Sequence, residues 1–143
     1  MGKKPAVPLI VFALAATCLA GCSRRKLIDR DEARSAIWSA RSFAAESVAF
    51  IDFVVQGRAT HHFAEAHAAY LQNEVERSAK ELEGAVAEPA AAASVSDCRM
   101  QFHQIVAELS EIRAALDDKD RLVASKARME QIRENLEKAN PHP

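Results

Sequence analysis

Apolar residues recur at alternating intervals of three and four along most of the chain. The first such stripe consists of small and apolar residues: Ile37, Ala40, Ala44, Ser47, Ile51 and Val54. Residues at these intervals lie on one side of an α-helix, so the repeat predicts an amphipathic helix over residues 30–56. Asp29 or Asp31 is a suitable N-cap for it, and Gly57 is a suitable residue to end it.

A second stripe predicts a helix over residues 60–87 with Thr60 as its cap. Its members are Phe63, His67, Tyr70, Leu71, Val75, Leu82 and Val86. Only residues 57–60 separate the two helices, and a link this short predicts that they pack as antiparallel neighbours. The alanine run after Pro89 has no apolar stripe and is expected to form a crossover loop.

Two further stripes follow, and they predict helices over residues 96–117 and 120–139. The third contains Cys98, Phe102, Ile105, Leu109, Ile112 and Leu116, and the fourth contains Leu122, Met129, Ile132 and Leu136. At about 100° per residue, the two stripes would lie on nearly opposite sides of one continuous helix. A turn at residues 117–120 is therefore expected. The alternative is a three-helix protein with a long last helix.

Four amphipathic helices joined by short links predict an all-α, antiparallel up-down bundle over residues 29–140. The composition agrees, because the 143 residues include only 4 Gly and 5 Pro. β-branched residues form no alternating runs, so no strand is predicted. The formal net charge of −1 gives no strong field for nucleic acid, and no nucleic-acid partner is expected.

The N-terminal segment has a different pattern. Lys3 and Lys4 precede an uncharged stretch, residues 5–20, whose apolar centre is residues 9–16. A permanent membrane span needs about 20 apolar residues, whereas a removable export signal has an apolar region of this shorter kind. The stretch leads into the sequence Leu-Ala-Gly-Cys at residues 19–22.

This segment resembles the signal peptide and lipobox of bacterial lipoproteins, and the resemblance covers residues 1–22 only. It implies cleavage that removes residues 1–21, covalent lipid on Cys22, and a lipidated basic tether over residues 22–28. It also implies a place in the bacterial cell envelope, anchored to a membrane and facing the periplasm. Ser23 after the cysteine favours the outer membrane over the inner one.

The cysteines then have different fates. Cys18 leaves with the signal, Cys22 carries lipid, and Cys98 remains as the one free thiol. Because Cys98 begins an apolar stripe, it is expected to be buried and unreactive. The chain has no Gly-x-Ser-x-Gly sequence and no glycine-rich phosphate loop, and it is not expected to be an enzyme.

Four residues are candidate ligands for a metal ion or a haem: His61, Glu65, His67 and His103. His61 and Glu65 have the i, i+4 spacing that brings two ligands together on one helix face. His67 lies on an apolar stripe, where a hydrogen-bonded core histidine is the commoner explanation. No cofactor is therefore expected beyond the covalent lipid.

Trp38 and Phe53 lie at the edge of the first stripe and are candidates for a partner surface. The alternative for Trp38 is that it folds over the end of the bundle. Small size, a lipid tether and the lack of an assembled active site favour a protein-binding accessory, inhibitor or immunity-type module with an envelope partner. The alternatives are a periplasmic metal or haem carrier and a structural homo-oligomer of the envelope.

Overall fold

The computed structural model describes residues 25–139. Its elements follow in the order β1 (Leu27–Ile28), α1 (Arg30–Val55), α2 (His61–Glu83), β2 (Val86–Ala87), α3 (Ala92–Ala114) and α4 (Lys119–Ala139). The four helices pack against one another as an all-α bundle, which confirms the predicted fold class. The predicted signal peptide and Cys22 lie outside the described residues.

Side-chain caps fix where three of the helices begin. Asp29 Oδ1 accepts hydrogen bonds from the backbone N–H groups of Asp31 and Glu32, at 2.9 and 2.8 Å. Thr60 Oγ1 accepts from the N–H of Phe63 at 3.3 Å, and Asp118 Oδ1 accepts from the N–H of Arg121 at 3.1 Å. Each bond satisfies a backbone donor that has no partner inside the helix.

Turns end two of the helices. After α1, Gly57 has a φ of +69°, a left-handed conformation that glycine adopts without steric cost. After α3, the chain turns at residues 115–118, where the N–H of Asp118 donates to the Ala115 carbonyl at 2.9 Å. The predicted break between the last two helices is therefore confirmed, and the three-helix alternative is wrong.

The link between α2 and α3 differs from the prediction. Helix α2 ends at Glu83 instead of residue 87, and α3 begins at Ala92 instead of residue 96. The Arg99 guanidinium donates to the Leu82 carbonyl at 2.8 Å and to the Ala85 carbonyl at 2.9 Å. Because Arg99 is remote in sequence, the apolar periodicity of α2 contains no sign of this cap.

A short parallel ladder joins the start of the described chain to this link. Leu27 pairs with Val86 and Ile28 with Ala87. The N–H of Val86 donates to the Lys26 carbonyl at 2.8 Å. The sequence predicted no strand, because two residues are too few to alternate visibly.

Helix α3 is the centre of the bundle and contacts each of the other helices. Its predicted core stripe is buried from Cys98 to Ile112. Helix α1 packs mainly on α4 and then on α3, while α2 packs mainly on α3. The two helices predicted to pack as antiparallel neighbours, α1 and α2, contact each other only in part, because each uses its buried face mainly to contact α3 or α4.

The predicted stripe of α2 was partly wrong. Phe63, Tyr70 and Val86 have 48%, 57% and 42% of their surface exposed. The buried face of the helix instead consists of Ala64, Ala68, Leu71, Val75, Ala79 and Leu82. Alanine lets the α2 backbone approach α3 closely, and the large rings are displaced to the edge of the interface.

Candidate functional site

An open groove separates the first half of α1 from the last half of α2. Its volume is about 880 Å³. The α1 wall is formed by Glu32, Ser35, Ala36 and Ser39, the α2 wall by Ser78, Glu81 and Leu82, and Phe102 of α3 lies at its floor. We call this depression the α1–α2 groove.

Small side chains keep this groove open. The walls carry short side chains: Ser35, Ala36 and Ser39 on α1, and Ser78 on α2. These side chains are too short to fill the space between the α1 and α2 backbones, both of which pack against α3. Phe102 packs edge-to-face with Phe43 at a centroid distance of 6.5 Å, which fixes the floor. The groove therefore offers short side chains at its walls and an aromatic ring beneath them.

Charged groups line the mouth of the groove nearest the start of the described chain. Lys26 Nζ lies 3.1 Å from Glu32 Oε1, so these two residues form an ion pair across the mouth. Arg25 and Lys80 line the same mouth and are exposed. A mixed charged rim around a less polar centre is the usual layout of a surface that binds protein.

Five rings occupy the other end of the seam between α1 and α2. We call them the aromatic cluster, and its members are Phe50, Phe53, Phe63, His67 and Tyr70. The imidazole of His67 is central: its centroid lies 4.9 Å from Phe50, 5.5 Å from Phe63 and 6.2 Å from Tyr70. The rings of Phe53 and Phe63 meet edge-to-face at 6.1 Å.

The aromatic cluster is only half covered. Phe50 is buried, whereas Phe63 and Tyr70 are exposed. The Arg58 guanidinium lies 5.0 Å above the Phe53 ring, and Glu46 Oε1 lies 3.7 Å from His67 Nε2. Half-exposed rings bordered by an arginine and a carboxylate match the composition of protein interfaces.

The two residues predicted for a partner surface lie apart. Phe53 belongs to the aromatic cluster, as described above. Trp38 is exposed on the outside of α1, next to a shallow hollow that it shares with Arg41, Ser42 and Ala45. Trp38 and Ser39 point about 100° apart around the helix, so Trp38 does not line the groove. It also does not fold over the end of the bundle.

The four candidate ligands for a metal or haem occupy three separate places. His61 and Glu65 share a surface depression with Asp117, whose Oδ2 lies 3.4 Å from His61 Nε2. His67 lies in the aromatic cluster, and His103 Nε2 lies 2.8 Å from Glu83 Oε1. Within residues 25–139, no three His, Cys, Asp or Glu side chains are arranged to hold a metal ion.

Cys98 is buried as predicted, with 1% of its surface exposed. Burial raises the pKa of its thiol from 9.0 to about 12. The charged thiolate is disfavoured in this apolar setting, so the group stays protonated at neutral pH. Cys98 therefore acts as a small core residue and not as a nucleophile.

The groove and most of the aromatic cluster were not predicted from the sequence. Ser35, Ser39 and Ser78 lie off the apolar stripes, and a serine on a helix surface usually contacts water. One signal was available: Phe63, His67 and Tyr70 follow each other at intervals of four and three, which places three rings on one helix face.

No protein-family model matches the chain, and searches of curated proteins and of solved structures find no match. None of the described helices is long and apolar enough to cross a membrane.

Proposed function

We propose that this protein is a lipid-anchored module of the bacterial envelope that binds another envelope protein. It acts as an accessory, inhibitor or immunity-type partner, and its binding surface is the α1–α2 groove together with the aromatic cluster. The observation that carries this proposal is that both features lie along the seam between α1 and α2: an open groove of about 880 Å³ is at one end and half-exposed rings are at the other.

The shape and chemistry of the groove suit an amphipathic helix of the partner. Short side chains at Ser35, Ser39 and Ser78 allow a second backbone to approach closely. Ala36 is a partly exposed apolar side chain on the α1 wall, Leu82 and Phe102 are the nearly buried floor beneath it, and the charged mouth offers ion pairs at the edge. A helix lying in a groove between two helices is a recurrent way of recognising a peptide segment.

The aromatic cluster would supply most of the binding energy. Tyr and Phe side chains bury large areas with little loss of conformational entropy, and interface residues of this kind dominate affinity. Phe63 and Tyr70 already have ordered neighbours in Phe53 and His67, so fewer rotamers are lost on binding.

A lipid on Cys22 would confine the module to the membrane that holds its partner. One acyl chain alone binds a membrane weakly, and additional chains or basic residues make the anchoring stable. Arg24, Arg25 and Lys26 follow the cysteine closely in sequence. Confinement to one membrane raises the effective concentration of each protein for the other, so a modest intrinsic affinity suffices.

Site-specific photocrosslinking in intact cells tests the binding surface. A photoreactive amino acid at Ser39 or Ser78 is expected to yield one discrete crosslinked product with another protein. Ala127, which is exposed on α4, is the matched control and is expected to yield none. Equal products from all three positions, or none from the groove positions, would contradict the proposal. A product of twice the chain's own mass would instead support the structural homo-oligomer.

A separate experiment tests the anchor. The Cys22→Ala chain is expected to lose all incorporation of labelled fatty acid, while the Cys98→Ala chain keeps it. Incorporation that survives in Cys22→Ala would refute lipidation at the predicted site.

A further inference from the structure

The interhelix links at the two ends of the bundle differ in polarity. We call the end with the β1–β2 ladder and the α2–α3 link the tether end, since the described chain starts there. The opposite end holds the α1–α2 and α3–α4 links and is the far end. At the far end, residues 117–120 read Asp-Asp-Lys-Asp and are all exposed. At the tether end, residues 89–96 contain no charge.

The uncharged residues of the tether end are accessible. Pro89, Ala90, Ala92 and Ala93 are exposed, and only Ala91 between them is buried. A link between two helices that faces bulk water usually carries polar or charged side chains, as the α3–α4 link does. Residues 89–93 thus present small apolar side chains where a link in contact with water would usually be polar.

Two larger apolar side chains extend this surface. Leu27 has 56% and Val86 42% of its surface exposed, and the two are direct partners in the β1–β2 ladder. Ile28, which follows Leu27 in β1, stabilises the ladder: its side chain is buried, and its carbonyl accepts a hydrogen bond from the N–H of Glu88 at 2.9 Å. Leu27 and Val86 therefore form a fixed apolar pair. We call Leu27, Val86, Pro89, Ala90, Ala92 and Ala93 the tether-end patch.

Basic residues border this patch. Arg25 and Lys26 immediately precede Leu27 and both are exposed. Lys26 keeps most of its side chain in solvent despite its ion pair with Glu32. Acidic residues also lie at this end: Glu88 is half-buried and Glu83 contacts His103 at 2.8 Å, while Asp29 and Asp97 are exposed beside the patch. Apolar side chains bordered by exposed cations are typical of proteins that lie on an anionic lipid surface.

The length of the tether limits where the tether end can be. Cys22 precedes Arg25 by three residues, which span at most about 11 Å when fully extended. The headgroup layer of one leaflet is roughly 5–8 Å thick. With an acyl group inserted at Cys22, Arg25 is held close to the headgroups. The far end lies one helix length away, about 35 Å for 23 residues.

We infer that the tether end rests on the bilayer, with Leu27 and Val86 in the interfacial region and Arg25 and Lys26 on headgroup phosphates. This inference depends on the proposed acylation of Cys22. It gives the bundle an upright orientation, so that the charged mouth of the α1–α2 groove lies at headgroup level. The aromatic cluster then stands roughly 30 Å above the membrane, since Phe50 follows Arg30 by 20 residues. The partner segment is accordingly one that begins next to the membrane.

Depth-dependent fluorescence quenching tests this orientation. The mature acylated chain is placed in vesicles of phosphatidylglycerol and phosphatidylethanolamine that contain a lipid with a nitroxide on its headgroup. A fluorophore is attached to Val86→Cys or Ala90→Cys, both remote from Cys22 in sequence. Val123→Cys is the control, since Val123 has 50% of its surface exposed and lies about 24 Å along α4 from Ala139. The unsubstituted chain serves as the blank for labelling at buried Cys98.

Quenching is expected to be several-fold stronger at positions 86 and 90 than at position 123. Equal quenching at all three positions would show a chain lying on its side or tumbling on its tether, and would overturn the inference. Quenching absent at 86 and 90 while the chain still sediments with the vesicles would also overturn it. A far-UV circular dichroism spectrum of each variant establishes that it is folded.

The outcome is independent of partner binding, because the experiment contains only the protein and lipids. A purified chain that carries no lipid would overturn this inference together with the proposed anchor. Normal quenching combined with no crosslinking at Ser39 would leave the orientation standing and remove only the proposed partner surface.

Discussion

Tyr70 and Leu71 are neighbours on α2, and truncating them to alanine is expected to have very different effects on stability. Both lie on the apolar stripe that the sequence predicts, but Leu71 is fully buried and Tyr70 is more than half exposed. The comparison of Tyr70→Ala with Leu71→Ala therefore tests which face of α2 is the core.

Leu71→Ala is expected to lower the free energy of unfolding by about 3 kcal/mol. Truncation of a fully buried leucine loses the transfer free energy of its side chain and leaves a cavity, which together cost about 2.7–5 kcal/mol. Helix α2 packs mainly on α3, and the core side chains of α3 are themselves fully buried. The cavity is therefore expected to close only in part.

Tyr70→Ala is expected to cost less than about 1 kcal/mol. Full burial of a large apolar side chain is worth roughly 1.5–3 kcal/mol, and less than half of Tyr70 is covered. Loss of its ring contact with His67 adds to the cost, while the higher helix propensity of alanine offsets up to about 0.7 kcal/mol.

The measurement is equilibrium urea unfolding, followed by circular dichroism at 222 nm, of residues 23–143 exported without the lipobox. The free energy of unfolding must fall with urea concentration at the same slope for both variants, because the slope reflects the surface that unfolding exposes. A loss for Tyr70→Ala as large as that for Leu71→Ala would refute the placement of the rings at the edge of the bundle. It would also remove Tyr70 as an accessible contact for a partner.

Three further predictions concern local features of the fold, each measured by urea unfolding. Gly57→Ala is expected to destabilise by about 1 kcal/mol because the φ of +69° strains any side chain. Gly84→Ala, at a φ of −69° where the new Cβ makes only ordinary van der Waals contact with the Lys80 and Glu81 carbonyls, is expected to be neutral or slightly stabilising, and equal losses would contradict this. Asp29→Ala is expected to cost about 1 kcal/mol because α1 loses its capping bonds, and an unchanged midpoint would show that the cap is dispensable. Burial raises the Cys98 pKa from 9.0 to about 12, so the thiol of the unfolded chain loses its proton at a lower pH than that of the folded chain. The wild type is therefore expected to lose stability relative to Cys98→Ala between pH 9 and 12, and not below pH 8. Parallel profiles of stability against pH for the two chains would contradict the burial of the thiol.

The fold was predictable because periodicity and helix ends are local properties. Asp29, Thr60 and Gly57 act on residues within one turn, so their roles follow from the sequence alone. The break between α3 and α4 was predictable for a geometric reason. The stripes of Leu109 and Leu122 cannot face one core on a continuous helix.

The groove was not predictable, because it depends on which helices pack together. Helix α2 packs through Ala64, Ala68 and Ala79, and nothing in the stripe distinguishes these alanines from those that are exposed. The preference of α1 for α4 over α2 is a choice among whole helix faces. Only after that choice do Ser39 and Ser78 line the same groove.

The tether-end patch was not predictable for the same reason, because it depends on which segments pack together. The alanine run after Pro89 looked like an ordinary loop, and Leu27 looked like part of a linker. The β1–β2 ladder brings Leu27 beside Val86, a residue that the stripe placed in the core. A contact between residues 59 positions apart leaves no periodic signal in the sequence.

The central claim is that the α1–α2 groove and the aromatic cluster together bind an envelope protein. The most direct measurement is the yield of crosslinking from a photoreactive phenylalanine derivative at Tyr70 in intact cells, with the groove open or filled. Ser39→Trp is expected to fill the groove and lower the yield about tenfold, equivalent to about 1.4 kcal/mol of binding free energy. Ala127→Trp, on the exposed face of α4, is expected to leave the yield unchanged. A yield at Tyr70 that is the same with Ser39→Trp as without it, or no crosslinked product at all, would contradict the claim.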